Sequence, residues 1–190
     1  FRSHTDADVM IWCDGDVRTH TLMPMEFLQE IAPSEQQLTT HLGRKTWPEC
    51  GWMMFNRHHP QFAEFMDQWR WIYESDDIFN HEESHDSYIF GELVQDFADA
   101  GHRDLGGPDM GGHVFINSVL GKYMDHLKGF RKEVGKSLIG DVYARNQEHF
   151  QINEWWQDLK HVTKRDIQLE KLKNPHEYDA EQQVKSKGIK

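Results

Sequence analysis

From Trp52 to Phe55 the segment Glu49-Cys50-Gly51-Trp52-Met53-Met54-Phe55-Asn56 carries four large apolar side chains in succession. A strand with one wet face alternates apolar and polar residues, whereas a strand covered on both faces reads as an unbroken apolar run. The octet therefore predicts a central strand, entered through a glycine, in a sheet covered on both sides. Val9-Met10-Ile11-Trp12-Cys13 is a second such run, bounded by acidic residues and halted at Asp14-Gly15-Asp16. It too reads as a strand buried on both faces, with Trp12 in the core.

Helical spacing fills the intervals. Pro24 opens a first short helix that ends before Pro33 and buries Phe27, Leu28 and Ile31. After Pro60 the residues Phe62, Phe65, Met66, Trp69, Ile72 and Tyr73 fall on one helical stripe, which reads as core. A polar segment from Glu74 to Ser84 leads to a third helix carrying Ile89, Phe90, Leu93, Val94 and Phe97, with Gly101 able to stop it. Gly106, Gly107, Gly111 and Gly112 mark a loop, and His113-Val114-Phe115-Ile116 suggests another strand. Alternating elements of this kind predict an α/β domain, a mixed sheet flanked by helices.

The 190 residues suit one domain, and 37% hydrophobic with 12% aromatic content is enough for a packed interior. Residues 1–140 read as that domain. Residues 141–190 change character: Tyr143, Phe150, Trp155 and Trp156 are followed by Lys- and Glu-rich sequence, which reads as an appended helix and a polar tail. A net charge of -11 argues against general nucleic-acid binding, which depends on neutralising phosphates. No run approaches the length needed to span a bilayer, and Phe1-Arg2-Ser3-His4 is unlike a signal sequence. Two cysteines, Cys13 and Cys50, support neither a disulfide framework nor a sulfur-rich zinc site, so a cytoplasmic, reducing setting is expected. The chain reaches its first strand within a few residues of Phe1, as the later part of a longer protein would.

Two constellations carry chemistry. Residues i and i+2 of an extended segment point to the same side, so Asp14 and Asp16 can grip one hard divalent cation, Mn²⁺ or Mg²⁺. Gly15 permits a tight turn and close approach of a ligand. Ligands of open α/β sheets gather where strands end, which favours this pair over the other Asp-x-Asp match, Asp6-Ala7-Asp8. A solvated turn is the plain alternative. The second constellation is His126-Leu127-Lys128-Gly129-Phe130-Arg131-Lys132, a His-x-x-Gly-x-x-Lys string expected by chance in about 0.06 chains of this composition. His126 suits a third ligand, and Lys128, Arg131, Lys132 and Lys136 suit a diphosphate cradle. The plain alternative is a basic face at a helix end.

Asp-x-Asp at a strand end, a glycine-containing strand closing on Phe55-Asn56 and a later His-x-x-Gly-x-x-Lys stand here in the order found in GT-A fold glycosyltransferases. The arrangement most resembles the glycogenin-like retaining family eight over residues 5–136. The resemblance implies a metal-dependent glycosyltransferase taking a nucleotide-sugar donor and an acceptor of unspecified kind. It implies Asp14, Asp16 and His126 as metal ligands and Lys132 as a phosphate contact, with Lys128, Gly129 and Arg131 beside it. It also implies that this chain holds the metal-binding and acceptor half, because the family's nucleotide-binding strands precede Asp-x-Asp by roughly one hundred residues. Two departures are plain: Glu133-Val134 stands where the family often has Pro-Trp, and no Asp-Gln acceptor motif is present.

Asp86, in His85-Asp86-Ser87, is the positional substitute for that motif, and Glu49 lies where it can reach donor sugar or acceptor; both are candidate catalytic carboxylates. Trp47 and Trp52 can stack on a sugar or fill the core. The segment His81-Glu82-Glu83-Ser84-His85 also fits the zinc-peptidase pattern, although its acidic flanks read as a loop entering a helix. Three classes therefore stand: a glycosyltransferase, a zinc peptidase, and a binding module without catalysis. Asp14, Asp16 and His126 are expected to converge on one ion.

Overall fold

A computed structural model describes residues 7–107, 113–142, 148–162 and 166. In chain order the elements are β1 (Val9–Cys13), β2 (Val17–Thr19), α1 (Met25–Ile31), β3 (Thr39–Leu42), β4 (Glu49–Asn56), α2 (Phe62–Glu74), α3 (Asp86–Asp96), β5 (His102–Asp104), α4 (Val114–Asn117), β6 (Met124–His126), α5 (Arg131–Val134) and α6 (His149–Ile152). The fold is mixed α/β. All eight residues of β4 are buried, as its continuous apolar run requires. It lies inside a four-stranded sheet of order β1-β4-β3-β5, in which β1 and β3 run antiparallel to β4 and β5 runs parallel to β3. A separate antiparallel ribbon pairs β2 with β6.

Because side chains alternate along a strand, β4 feeds two cores. Trp52 and Met54 pack with Leu42, with Phe27 and Ile31 of α1, and with Val114, Phe115, Ile116, Leu120 and Met124. Met53 and Phe55 pack with Phe65 and Ile72 of α2 and with Ile89, Phe90 and Leu93 of α3. Within the second core Phe65 makes edge-on contacts with Phe90 and Phe97, the preferred arrangement for aromatic rings. The helical stripes are therefore core, although Leu28 and Val94 are only partly covered and Tyr73 is largely exposed. Helix α3 stops at Asp96, and one 3-10 turn separates it from Gly101 at φ 67°.

Three expectations are corrected. Among the described residues β1 is an edge strand that pairs with β4 alone, and it is not buried on both faces: Ile11 is 43% and Trp12 41% exposed. Trp12 lies outside the core, and its indole Nε1 donates to Asp14 Oδ1 at 3.2 Å. The apolar run at Val114 forms a one-turn helix, α4, rather than a strand. A short segment enclosed on every side looks the same in either conformation, and here the Asn117 side chain secures the turn by donating to the carbonyls of His113 and Asp141. Residues following Gly140 do not stand apart either. Trp156 is buried in the first core and donates to the Gly121 carbonyl at 2.7 Å, and Phe150, Trp155 and Leu159 pack beside it. Among the described residues α6 is one turn beside this core, and most of the expected appended helix and tail lies outside the described residues.

Asp6, Gly111, Gly112, Tyr143 and all of the tail beyond residue 162 except Asp166 lie outside the described residues. Among the described residues no helix is long and apolar enough to cross a membrane.

The contrast between the two tryptophans is measurable. Trp52→Ala empties a site in the first core and is expected to cost about 3–5 kcal/mol, whereas Trp12→Ala at the exposed edge should cost about 1 kcal/mol or less, as read by urea unfolding. The interior also carries histidines that burial keeps neutral: His41 is pushed down to about 4, and His113 to about 3 with help from the Arg131 charge. A histidine depressed in the fold takes up protons on unfolding, so its stabilisation is complete above the unfolded value near 6.5 and drains away below it. The urea midpoint should begin to fall just below pH 6.5 and keep falling towards pH 4. A midpoint flat from pH 7 to pH 5 would contradict this.

Candidate metal centre

The site is assembled at the junction between sheet and ribbon. As β1 ends, the Asp14 N–H still donates to the Gly51 carbonyl of β4, and the Val17 N–H donates back to the Asp14 carbonyl, closing a turn. β2 then pairs with β6 in a register that sets Val17 opposite His126, and the Leu127 N–H donates to the Asp16 carbonyl at 2.9 Å. Two turn carboxylates are thereby brought to an imidazole 110 residues distant. His126 Nε2 lies 3.0 Å from Asp16 Oδ1 and 3.8 Å from Asp14 Oδ2. One ligand atom from each residue falls within 4.8 Å of the others, so the expected convergence is found. His126 is 1% exposed while both aspartates are partly open, giving a ligand set closed from below and accessible from the carboxylate side.

The glycine of β4 explains how the imidazole fits. A Cβ at Gly51 would lie 2.6 Å from His126 Cε1 and 2.9 Å from Nδ1, so any larger residue would expel the ring. This is a demand for space. Carboxylate and imidazole ligands together could hold a hard or borderline divalent ion. Burial tends to raise the Asp16 carboxyl, but the hydrogen bond from Lys132 and the charges of His126 and Lys132 outweigh it and hold the group below the usual carboxylate range. Asp16 is therefore ionised, as a ligand must be.

The basic string divides. Lys132 Nζ lies 3.2 Å from Asp16 Oδ2 and Lys128 Nζ 3.8 Å from Glu49 Oε1, with both side chains more than half exposed. These two cations border the ligand set. Gly129 makes the turn between them at φ 62°. Arg131 is turned elsewhere: its guanidinium grips the Asp141 carboxylate and donates to the Lys128 carbonyl, which braces the loop. Lys136 donates to the Gln157 carbonyl and lies over the Trp155 ring at 4.8 Å.

The two candidate catalytic carboxylates differ. Glu49 is 5% exposed; Oε1 accepts the Gly51 N–H at 3.1 Å, and Oε2 lies 3.3 Å from Arg44 Nη1. Asp86 is the first residue of α3, is exposed, and accepts the Ser87 N–H. Arg44 joins their neighbourhoods by donating also to the Trp47 and Pro48 carbonyls and to Ser87 Oγ. Trp47 is partly covered, donating to Glu83 and packing edge-on against Tyr88, while Trp52 is core. Burial raises the thiols of Cys13 and Cys50, so neither is disposed to act as a nucleophile.

The zinc-peptidase pattern is not realised. Residues 81–85 precede α3 rather than forming a helix, so His81 and His85 are not presented one turn apart. His81 contacts Glu92 and Asp77, whereas His85 contacts Glu83 and caps α3 by accepting the Tyr88 N–H.

Several supporting residues have no sequence signal. Arg44 is one. Another is Asp125, fully buried, whose carboxylate accepts from the Ser137 N–H and hydroxyl and from Trp155 Nε1, tying the end of the basic loop to the strand that carries His126. With its proton given to Asp125, the same Ser137 hydroxyl accepts from His113 Nε2 at 2.9 Å. The position of Asp125 beside His126, on the opposite face of a strand, is the one clue the sequence offers. No family model, curated protein or solved structure matches this chain.

Gly51→Ala tests the cradle. The added methyl should displace the His126 ring and weaken Mn²⁺ binding by about tenfold or more, in the range of other changes to groups supporting metal ligands. Calorimetric titration of the folded variant with MnCl₂ is the measurement, and wild-type affinity would count against the geometry.

Proposed function

We propose that this chain is the metal-binding and acceptor half of a metal-dependent glycosyltransferase, moving a sugar from a nucleotide-diphosphate donor to an acceptor. The observation that carries this reading is the meeting of Asp14, Asp16 and His126 beside Lys132 and Lys128. Hard ligands alone would suit many metal sites. Two exposed ammonium groups on an acidic chain, set against that ligand set, favour a polyanion that the ion and the lysines share.

Asp14, Asp16 and His126 would hold the Mn²⁺ or Mg²⁺ ion, which when bound supplies positive charge to the departing diphosphate. Lys132 is then positioned to leave Asp16 for a phosphate oxygen, and Lys128 to approach from the Glu49 side. Each adds a fixed charge where negative charge develops as the glycosidic bond breaks. Asp86, exposed at the start of α3, is the more accessible of the two candidate carboxylates to an acceptor hydroxyl. Glu49 is enclosed, with both oxygens engaged.

Calorimetry with uridine diphosphate and guanosine diphosphate, with and without MnCl₂, tests the reading. Binding should depend on Mn²⁺ and should be lost in Asp16→Asn, whose melting temperature should stay near that of the wild type because the residue lies in a partly exposed turn. Metal-independent binding, or binding unchanged in the variant, would move the diphosphate site elsewhere.

A further inference from the structure

We propose that Glu49 is a positioning residue for His126: its buried carboxylate keeps the imidazole proton on Nδ1 and so presents the Nε2 lone pair to an ion between Asp14 and Asp16. The proposal rests on the metal-centre reading and changes the part assigned to Glu49, from a carboxylate that meets substrate to one that works through a ligand.

The argument begins with an unmade bond. His126 Nδ1 is buried and has no hydrogen-bond partner, a condition that costs free energy unless function or a small movement relieves it. It faces Glu49 Oε1 at 3.7 Å, a gap that a slight rotation of either side chain closes into a hydrogen bond. Oε1 cannot easily turn away, because the Gly51 N–H holds it at 3.1 Å and Arg44 holds the other oxygen at 3.3 Å. A Cβ at Gly51 would stand 2.9 Å from Nδ1 and 3.2 Å from Oε1, in contact with both, so the missing side chain keeps the approach open.

Chemistry completes the assignment. A neutral imidazole binds a metal through one nitrogen and carries its proton on the other, and a carboxylate accepting that proton fixes the tautomer and the ring orientation. Without an ion, Nε2 donates to the ionised Asp16 Oδ1 at 3.0 Å; an ion seated between Asp14 and Asp16 would take the Nε2 lone pair in place of that proton, leaving Nδ1 as the nitrogen that carries one. Glu49 is the carboxylate facing it. Its own buried charge is balanced by Arg44 and, at 3.8 Å, by Lys128, so the group that orients the metal ligand also restrains a lysine bordering the site.

The test uses the full chain. In ¹⁵N-labelled protein with saturating MgCl₂, long-range proton–nitrogen spectra of the imidazoles should show the His126 proton on Nδ1. In MnCl₂ calorimetry, Glu49→Leu should weaken binding by about 10- to 100-fold, the usual effect of losing such a support. Glu49→Gln should stay within a few-fold of wild type, because the Gly51 N–H keeps an amide oxygen where the carboxylate oxygen was. Wild-type affinity in Glu49→Leu would overturn the assignment while leaving the metal centre intact, whereas a His126 proton on Nε2 in the Mg²⁺-loaded protein would remove His126 from the ligand set and this role with it. Absence of Mn²⁺ binding by the wild-type chain would overturn the centre itself and this role with it. The tautomer is read in the wild-type protein, so the outcome does not depend on Glu49→Leu folding.

Discussion

Burial of β4 on both faces is the constraint from which the rest of the architecture follows. An unbroken apolar strand is stable only if something covers each side of it, and the chain meets that demand with two unlike cores. One is built from α2 and α3 and is rich in aromatic rings. The other is closed by α1, α4 and the segment that follows Gly140, which is why residues 148–159 cannot be spared as an appendage. Gly51 lies at the start of this same strand, so the element that organises the cores also leaves the space into which His126 fits.

The candidate metal centre depends on a second, smaller constraint. Three residue pairs between β2 and β6 hold the aspartate turn against the histidine strand, and such a short ribbon needs support from outside itself. Buried polar contacts provide it. Asp125 clamps Ser137 and Trp155 on one side, and Glu49 is held by Gly51 and Arg44 on the other. In both cases a carboxylate that would be costly alone is stabilised by several donors. The basic residues are used economically in the same way: Arg131 secures the loop through Asp141, and that loop carries Lys132 to Asp16.

Much of this is legible in the sequence. The central strand, the helix after Pro60 and the helix ending near Phe97 each declare themselves through apolar spacing, which reports burial directly. The site triad was also legible, because residue chemistry and motif order single out Asp14, Asp16 and His126. The sequence misleads where spacing is ambiguous or silent. Val114–Ile116 is enclosed on all sides, and a run that short has no period to distinguish helix from strand. Strands β2, β3, β5 and β6 have three or four residues each, too few to show alternation.

By itself, then, the sequence determined which segments must be buried and which side chains have the chemistry to hold a divalent ion, because hydrophobicity and ligand type belong to residues. Tertiary structure alone decided who faces whom. Trp12 is as apolar as Trp52 yet lies at a sheet edge, since only pairing order makes one strand central and another peripheral. Arg131 and Lys132 are adjacent basic residues, but one is committed to Asp141 and the other reaches Asp16. Glu49 reads as an ordinary carboxylate before a strand, and its place behind His126 arises from packing between segments 77 positions apart. Those outcomes are distances between remote parts of the chain, and distance is fixed by how the layers pack.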